Sequence, residues 1–406
     1  MNTEQELDTV FLADAGTILN YQALKFPNRE ELTGKEEPDR VHDLGGMVAG
    51  TLSFSRAQPQ HLAFLLAYGL GEAASAALGA GGYRHTITAR SGEVDEGRSN
   101  PSFTAAMRFG RQVLKRCYAS CFVDQVRLEL ARDGWAKATG SIRGSGKVED
   151  NTRVEEVSAA FNAATLTLAA NGVEGGTAAE RLSNVQGIKV LNPATQAWQD
   201  VSYQAVSGAQ PAVIDIVPPG ESGELTTYRV YYLPVESGWM AFPDRVEEPP
   251  LKVSQVEVYL GGRWDGAQFL GGHRLAAQVR RLTWTLKNNL TLESAPGAGG
   301  SYANRAFRAG REQKLEVDRD FRDFLMGRHL HDNDYLNFYL KAAGPEFEPG
   351  LNYQVELVFP RVAVTAAPVK VDQRRLAENV ELAVLEDDTY GSVIAYVQNK
   401  VGAYAA

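Results

Sequence analysis

FVDQVRLELARDGWAKATGSIRGSG, residues 122–146, decides the fold class. Val126, Leu128 and Leu130 alternate with Gln125, Arg127 and Glu129, a period of two that sends one face to a core and the other to water. Asp133-Gly134 follows, a pair that accepts the positive φ angles of a tight turn. The chain then returns through WAKATGSIRG, and the segment is predicted to be a long β-hairpin. Its return strand carries Ala136, Ala138 and Gly140 where bulky core residues are expected, which predicts that another backbone or a tight interface approaches that face. Gln125, Arg127, Leu128, Glu129, Asp133 and Gly134 are therefore the candidate residues of a hairpin that joins strands of neighbouring subunits, the polar ones on its free face.

Upstream, GTLSFSR alternates as a strand with Leu52 and Phe54 inward, and Pro59 opens PQHLAFLLAYGLG. There Leu62, Leu65, Leu66 and Leu70 stand at helical spacing, and Gly69 and Gly71 close the helix. Strands around Tyr83 to Ala89 and in SFTAAMRF lead to the hairpin. The same order returns after Pro249-Pro250. QKLEVDRDFRDFLMGRHL is a strand passing into a helix from Asp320 to about Arg328, and YLNFYL, NYQVELVFPRVAVTA and NVELAVLED follow as strands. TLSFSR against KLEVDR marks the two copies. Between them RVEEVSAAFNAATLTLAA reads as a helix passing into a strand, and NVQGIKVLN, QDVSYQAV, AVIDIVP and TYRVYYLP are short strands punctuated by Pro and Gly. The expected organisation is an N-terminal arm at 1–40, a first β domain at 41–175, a small all-β module at 176–250 and a second β domain at 251–406. The class is mainly β, with two antiparallel sandwich or barrel domains, each flanked by a short helix. One further likeness, GAGGY at 79–83 and GAGGSY at 297–302, places similar loops on opposite sides of their helices and carries no weight.

With 41 Lys and Arg against 50 Asp and Glu, the net charge of -9 excludes a broad basic surface for gripping nucleic acid. It is compatible with letting nucleic acid pass, since like charge repels. MNTEQELDTVF lacks the basic and apolar regions of a secretory signal, and the apolar runs fall short of a membrane span. Cytoplasmic synthesis and no membrane binding are expected. The only cysteines, Cys117 and Cys121, lie on one extended stretch, where four residues span roughly 13 Å, beyond the roughly 7 Å reach of a disulfide.

RHLHDNDY, residues 328–335, crowds two histidines and two aspartates together. It falls where a helix gives way to a strand, where Asn and Asp favour turns and His suits the helix dipole. Its spacing matches no metal-ligand pattern, and the chain lacks a Walker loop, a GxSxG elbow, HExxH and an ordered CxxC pair. Glu155-Glu156 and Asp387-Asp388 read as solvated pairs. LGGHRLAA and LGAGGYRH lack the strand and downstream acid of a phosphate loop. Trp135, Trp198, Trp264 and Trp284 fit core packing, with a sugar-stacking set as the other reading. No catalytic residue, cofactor or metal is expected.

The run DLGGMVAGTLSFSRAQPQHLAFLLAYGLG, then GGYRHTITA, PSFTAAMRFG and YASCFVDQVRLELARDGWAKATGSIRGSG, resembles the tail tube proteins of long non-contractile-tailed bacteriophages. AAERLSNVQGIKVLN, TYRVYYLP and the closing strands extend the resemblance over about residues 40 to 400. It implies a β-sandwich with a flanking helix, assembled into rings that stack as a tube conducting DNA without sequence preference. Members with two tube domains per chain close a ring with three chains in place of six. The implied partners are copies of the chain and the tape measure, tail terminator and distal tail proteins, and the implied location is the virion tail, after assembly in host cytoplasm. The second copy departs from the pattern: it has PRVAVTAAPVKVDQRRLAENVELA where the first has its Asp-Gly turn. The other readings are a soluble β-rich module binding glycan or protein, and a metal-dependent enzyme.

Overall fold

The computed structural model describes the whole chain except residues 32–33, 93–97, 111–113, 209, 236–237, 276–277, 297–300, 373 and 405–406, so the GAGG of the 297–302 loop lies outside the described residues. The chain runs through β1 (Leu19–Pro27), β2 (Val41–Phe54), α1 (Pro59–Leu70), β3 (Gly71–Leu78), β4 (Gly82–Ala89), β5 (Phe103–Phe109), β6 (Leu114–Ala131) and β7 (Lys137–Gly144). Next come β8 (Val148–Asp150), β9 (Arg153–Ala160), β10 (Thr165–Leu168), α2 (Ala178–Ser183), β11 (Val185–Leu191), β12 (Trp198–Asp200), β13 (Tyr203–Ser207), β14 (Ala212–Ile216) and β15 (Leu225–Tyr232). The last part holds β16 (Val256–Leu260), β17 (Arg263–Trp264), β18 (Phe269–Leu270), β19 (His273–Arg274), β20 (Val279–Lys287), β21 (Leu290–Glu293), β22 (Arg305–Arg308), β23 (Glu312–Asp320), α3 (Leu325–Asp332), β24 (Tyr335–Glu348), β25 (Leu351–Ala366), β26 (Val369–Asp372), β27 (Arg375–Val384) and β28 (Ile394–Asn399). The protein is mainly β, and its registered strand pairs are antiparallel.

Two compact units divide the chain: Met1–Thr104 with Tyr118–Lys147 and Pro243–Ala406, and Ala105–Cys117 with Val148–Phe242. The second unit stacks a four-stranded sheet, β12-β11-β15-β9, on a three-stranded one, β10-β14-β13. Alternate residues of both (Leu166, Ile188, Val190, Ile214, Tyr228 and Val230 among them) meet in one core. This unit holds most of residues 176–250 together with residues 105–117 and 148–175, which the sequence reading places in the first domain. Arg153–Ala160 is a strand, not a helix: β9 lies along the whole of β15, from Arg153 opposite Tyr232 to Ala160 opposite Leu225. Partner strands on offer outweigh the helical texture of Glu-Glu and Ala-Ala there, a tertiary override of weak propensity.

In the first unit the hairpin β6–β7 is the centre of a longer series. β1 pairs with β2, β2 with β7, β7 with β6, β6 with β20, β20 with β23, β23 with β27 and β27 with β25. The order of the first four strands is repeated by the last four. β20, β23, β27 and β25 stand to one another as β1, β2, β7 and β6 do, and Leu315 and Val317 of β23 face Leu382 and Val380 as Leu52 and Phe54 of β2 face Gly140 and Ala138. The two copies therefore do not form separate bodies divided near residue 250, because β6 and β20 are hydrogen-bonded neighbours. The N-terminal segment is likewise not merely an arm, since β1 runs beside β2 from Leu19 opposite Gly50 to Pro27 opposite Val41.

β25 is a branch point of the large sheet. Its end from Val362 to Ala366 pairs with β27, while Gln354 to Val358 pairs with β28, which leads on to β4 and β3; β24 and then β16 lie on its other edge. α1 packs among β3, β4, β7, β25 and β28. Pro59 starts it, and Gly71 at φ +105° ends it with its N–H on Ala67 O. Ten of its twelve residues are buried, as a helix apolar on all sides must be. Gly140 is what lets it approach: a Cβ there would run into the Leu65 side chain, and one at Gly69 would come within 2.9 Å of Val126. The small residues of β7 thus serve a helix of the same chain.

Candidate assembly interface

Directly opposed residues in an antiparallel pair share a face, so the middle of the series, β7, β6, β20, β23 and β27, has one mostly apolar and one polar side. Val126, Leu128 and Leu130 of β6 lie beside Leu286, Trp284 and Leu282 of β20, and all six are buried. The other side carries Arg127, Lys137, Arg281, Lys287 and Lys314 against Glu129, Glu312, Glu316, Asp318 and Glu381, basic and acidic groups in balance. They pair across strands, Arg281 reaching Glu129 at 3.2 Å and Lys314 reaching Glu381 at 2.9 Å, and along them, Arg127 reaching Glu129 at 3.3 Å and Lys314 reaching Glu316 at 2.8 Å.

The residues singled out in the hairpin separate accordingly. Gln125, Arg127 and Glu129 lie on the polar side. Leu128 lies opposite Ala138 of β7 and Trp284 of β20, 2% exposed, inside the unit's own core. Asp133 adopts φ +61°, while Gly134 keeps a negative φ, so the tip is not a two-residue turn with both positions left-handed. It opens because the segment after Pro249-Pro250 binds it. Ala136 donates to Leu251 O at 2.9 Å, Leu251 to Ala57 O at 2.9 Å, and Val253 to Gly134 O at 3.1 Å. Cys117 and Cys121 are buried along β6, Cys121 Sγ donating to Tyr118 O at 3.7 Å.

The two ends of the series differ from its middle. β1 has β2 on one side, and the run from Asn20 to Pro27 is exposed, with Tyr21 and Phe26 at 40% and 54%. At the other end β24 leaves the second edge of β25 after Ala363. Among the described residues no strand pairs with this edge as it continues into β26, whose four residues are exposed, Val369 at 44% and Val371 at 73%. Residues 364–372 occupy in the second copy the place that the β20-bearing half of β6 occupies in the first. Sequence reading missed both edges. Exposed Tyr, Phe and Val alternating in β1 and β26 were the available signal.

RHLHDNDY is largely helical. α3 begins at Leu325, after β23 has run on to Asp320, and it contains Arg328 to Asp332. Asn333 at φ +54° ends it. His329 Nδ1 meets Asp334 at 2.8 Å, His331 Nδ1 meets Asp332 at 2.9 Å, and Arg328 reaches Asp332 at 2.9 Å, so the four groups pair locally around the helix end. Among the described residues no group of three or more His, Cys, Asp or Glu is placed to hold a metal ion.

Two buried titratable groups mark the other end of α1. His61 Nδ1 accepts the Gln58 N–H at 3.3 Å, and its ring stacks on Phe54 at 4.0 Å. Burial pulls its pKa down to about 4. Glu248, 3% exposed, accepts from Gln60 N at 2.8 Å and Lys400 N at 3.2 Å, and burial lifts its carboxyl to about 7 against the pull of those two bonds. It ties the linker to α1 and to the segment after β28. Among the described residues no helix is long and apolar enough to cross a membrane. No protein-family model matches the chain, and no curated protein matches it significantly.

Proposed function

We propose that the chain is a non-catalytic structural subunit that joins copies of itself edge to edge into a closed ring, three chains to a ring. Such rings stack into a bacteriophage tail tube whose channel passes DNA. The observation that carries this reading is the repeated strand order. Within the chain, β6 of the first copy is completed by β20 of the second. The equivalent edge of the second copy, β25 from Val364 with β26, is bare, and so is β1, which holds in the first copy the place of β20 in the second. Long bare edges are a hazard in a monomer. A second copy offering β1 to β25 and β26 covers them, by a heterologous contact that closes when the rotation per copy divides a full turn.

The polar side of the series supports the rest. Its charges are balanced and paired, so a channel lined by it would not bind a polyanion tightly. In this reading the tape measure, terminator and distal tail proteins are the partners, met in the virion tail after assembly in host cytoplasm. Electron microscopy of the purified chain at high concentration tests it. Rings or tubes are expected; dispersed single particles at every concentration would refute it.

A further inference from the structure

Residues 260–274, LGGRWDGAQFLGGHR, build a ribbon that the ring reading does not use. β17 pairs with β18, Trp264 opposite Phe269, and the ribbon is bounded by Gly261, Gly262, Gly271 and Gly272, all with φ between +74° and +91°. Four left-handed residues in two pairs are a backbone that glycine alone adopts without strain. They fold the ribbon back over the sheet β19-β16-β24, where Tyr259 faces Tyr339 and Glu257 faces Lys341.

Beneath the ribbon is a cavity of about 470 Å³, within the roughly 300–1,000 Å³ of small-molecule sites. Its floor and wall are aromatic. Phe269 and Tyr339 stack at 4.7 Å and 8°, and Tyr259 tilts against them at 6.1 and 6.0 Å. Its polar groups are Arg84, Glu257, Gln268, Lys341 and Glu356. Glu356 is 9% exposed and lies 3.4 Å from Lys341, and Glu257 holds Arg274 at 2.8 Å. Two donors of the lining, Arg84 Nε and Trp264 Nε1, are buried with no hydrogen-bond partner among the described residues. Buried donors left unpaired are rare and call for an acceptor. The Arg84 guanidinium lies 4.6 Å over the Tyr396 ring, so its face is occupied and its N–H edge is left.

This combination selects a ligand class. Aromatic faces are negative and attract the slightly positive C–H groups of a flat saturated ring. Two carboxylates accept from hydroxyl groups, while Lys341, Arg84 and Trp264 donate to them. The lining's own two acids and two bases balance, and both acids are paired, Glu257 with Arg274 and Glu356 with Lys341, so the site offers no unpaired charge cluster for an ion to seek. We propose that this cavity is a binding site for a neutral saccharide, its C–H face on the aromatic side chains and its hydroxyl groups on Glu257, Glu356, Lys341 and Arg84. The site stands whether or not the chain forms rings.

Saturation-transfer NMR and titration of the full chain with glucose, galactose, N-acetylglucosamine, lactose and cellobiose at millimolar concentration test it. At least one sugar is expected to give saturable transfer. Phe269→Ala, which removes a ring from the wall, and Glu257→Gln, an isosteric change at a half-buried position that keeps a hydrogen-bond acceptor for Arg274, are each expected to weaken binding about tenfold. The proposal is overturned if no sugar of the panel saturates the folded wild-type chain, if Glu257→Gln binds as tightly as wild type, or if inorganic phosphate competes for the same residues.

Discussion

A carboxylate at position 128 would find no partner. Leu128 lies between Ala138 and Trp284, 2% exposed, on the side where α1 approaches Val126 and Leu286 and Phe359 packs on Trp284. Leu128→Asp is therefore expected to destabilise the isolated chain by about 4 kcal/mol or more, the cost of an unpaired buried charge. Arg127→Ala, one position away on the polar side and 44% exposed at the side chain, should cost no more than about 1 kcal/mol; denaturant titration of both variants checks the contrast. Glu248 sets a pH dependence. Its folded pKa of about 7 lies above the ordinary 4.5, so its contribution is complete below about pH 4.5 and is lost as pH rises through 7. His61, depressed to about 4, acts in the opposite sense: its contribution is present above about pH 6.5 and lost as pH falls through 4. Glu248→Gln removes the upper loss, at most about 3 kcal/mol for a shift of this size. The Tm of the wild type should fall relative to that of Glu248→Gln between about pH 4.5 and 7 and run parallel to it above about pH 8; thermal melts across that range measure the difference. The arginines that end TLSFSR and KLEVDR show how far the copies have drifted. Arg56 is exposed, whereas Arg319 is fully buried on Glu378 at 2.6 Å.

At the scale of elements, what could be read from sequence was what period and punctuation specify locally. The alternation of Val126, Leu128 and Leu130, and Pro59 with Gly71 around four leucines, gave the central hairpin and α1 because each signal is complete within a few residues. Strands whose reason lies elsewhere in the chain were lost. β1 hides in a polar N-terminal segment, and β9 looks helical until β15 is laid beside it. α3 was placed five residues early, because Phe321 and Phe324 stand at helical spacing while the helix begins after them. The bare edges were illegible for the same cause, since an edge is defined by which partner is missing. Their role is open to test. Val369 and Val371 are exposed on β26, so changing both to Lys should alter the Tm of the isolated chain little, surface substitutions being worth about 0.5 kcal/mol or less. The same pair places charges on the edge that the proposed ring would offer to the next chain. The double variant is expected to remain monomeric at concentrations where the wild type assembles, as sedimentation velocity would show; unimpaired assembly would remove β26 from the interface.

For the whole molecule, the proposed ring is counted in four-stranded repeats: if it closes with six of them, two repeats per chain set three chains to a ring. The contact between β6 and β20 is covalently tethered, so it forms at high effective concentration and needs no second chain. A contact of the same kind between β25 with β26 and the β1 of another copy repeats the step, and each chain then advances the ring by two four-stranded repeats. Three chains supply six such repeats, with true three-fold and approximate six-fold symmetry. The two kinds of contact need not be equally strong, because Arg56 and Arg319, or α1 and the mostly exposed α3, show that the copies have diverged. Only the contact between chains depends on concentration and can be separated by dilution. Rings should therefore dissociate into intact single chains, never into half-chains, and the β6–β20 register should keep its protection from hydrogen exchange after the rings have gone. Native mass spectrometry of isolated rings is expected to give three times the chain mass of 44.2 kDa. A mass of six chains would require each chain to advance the ring by one repeat. That would leave the β6–β20 contact as an internal feature of each subunit with no counterpart between subunits, and the derivation of the interface from the repeat would fail with it.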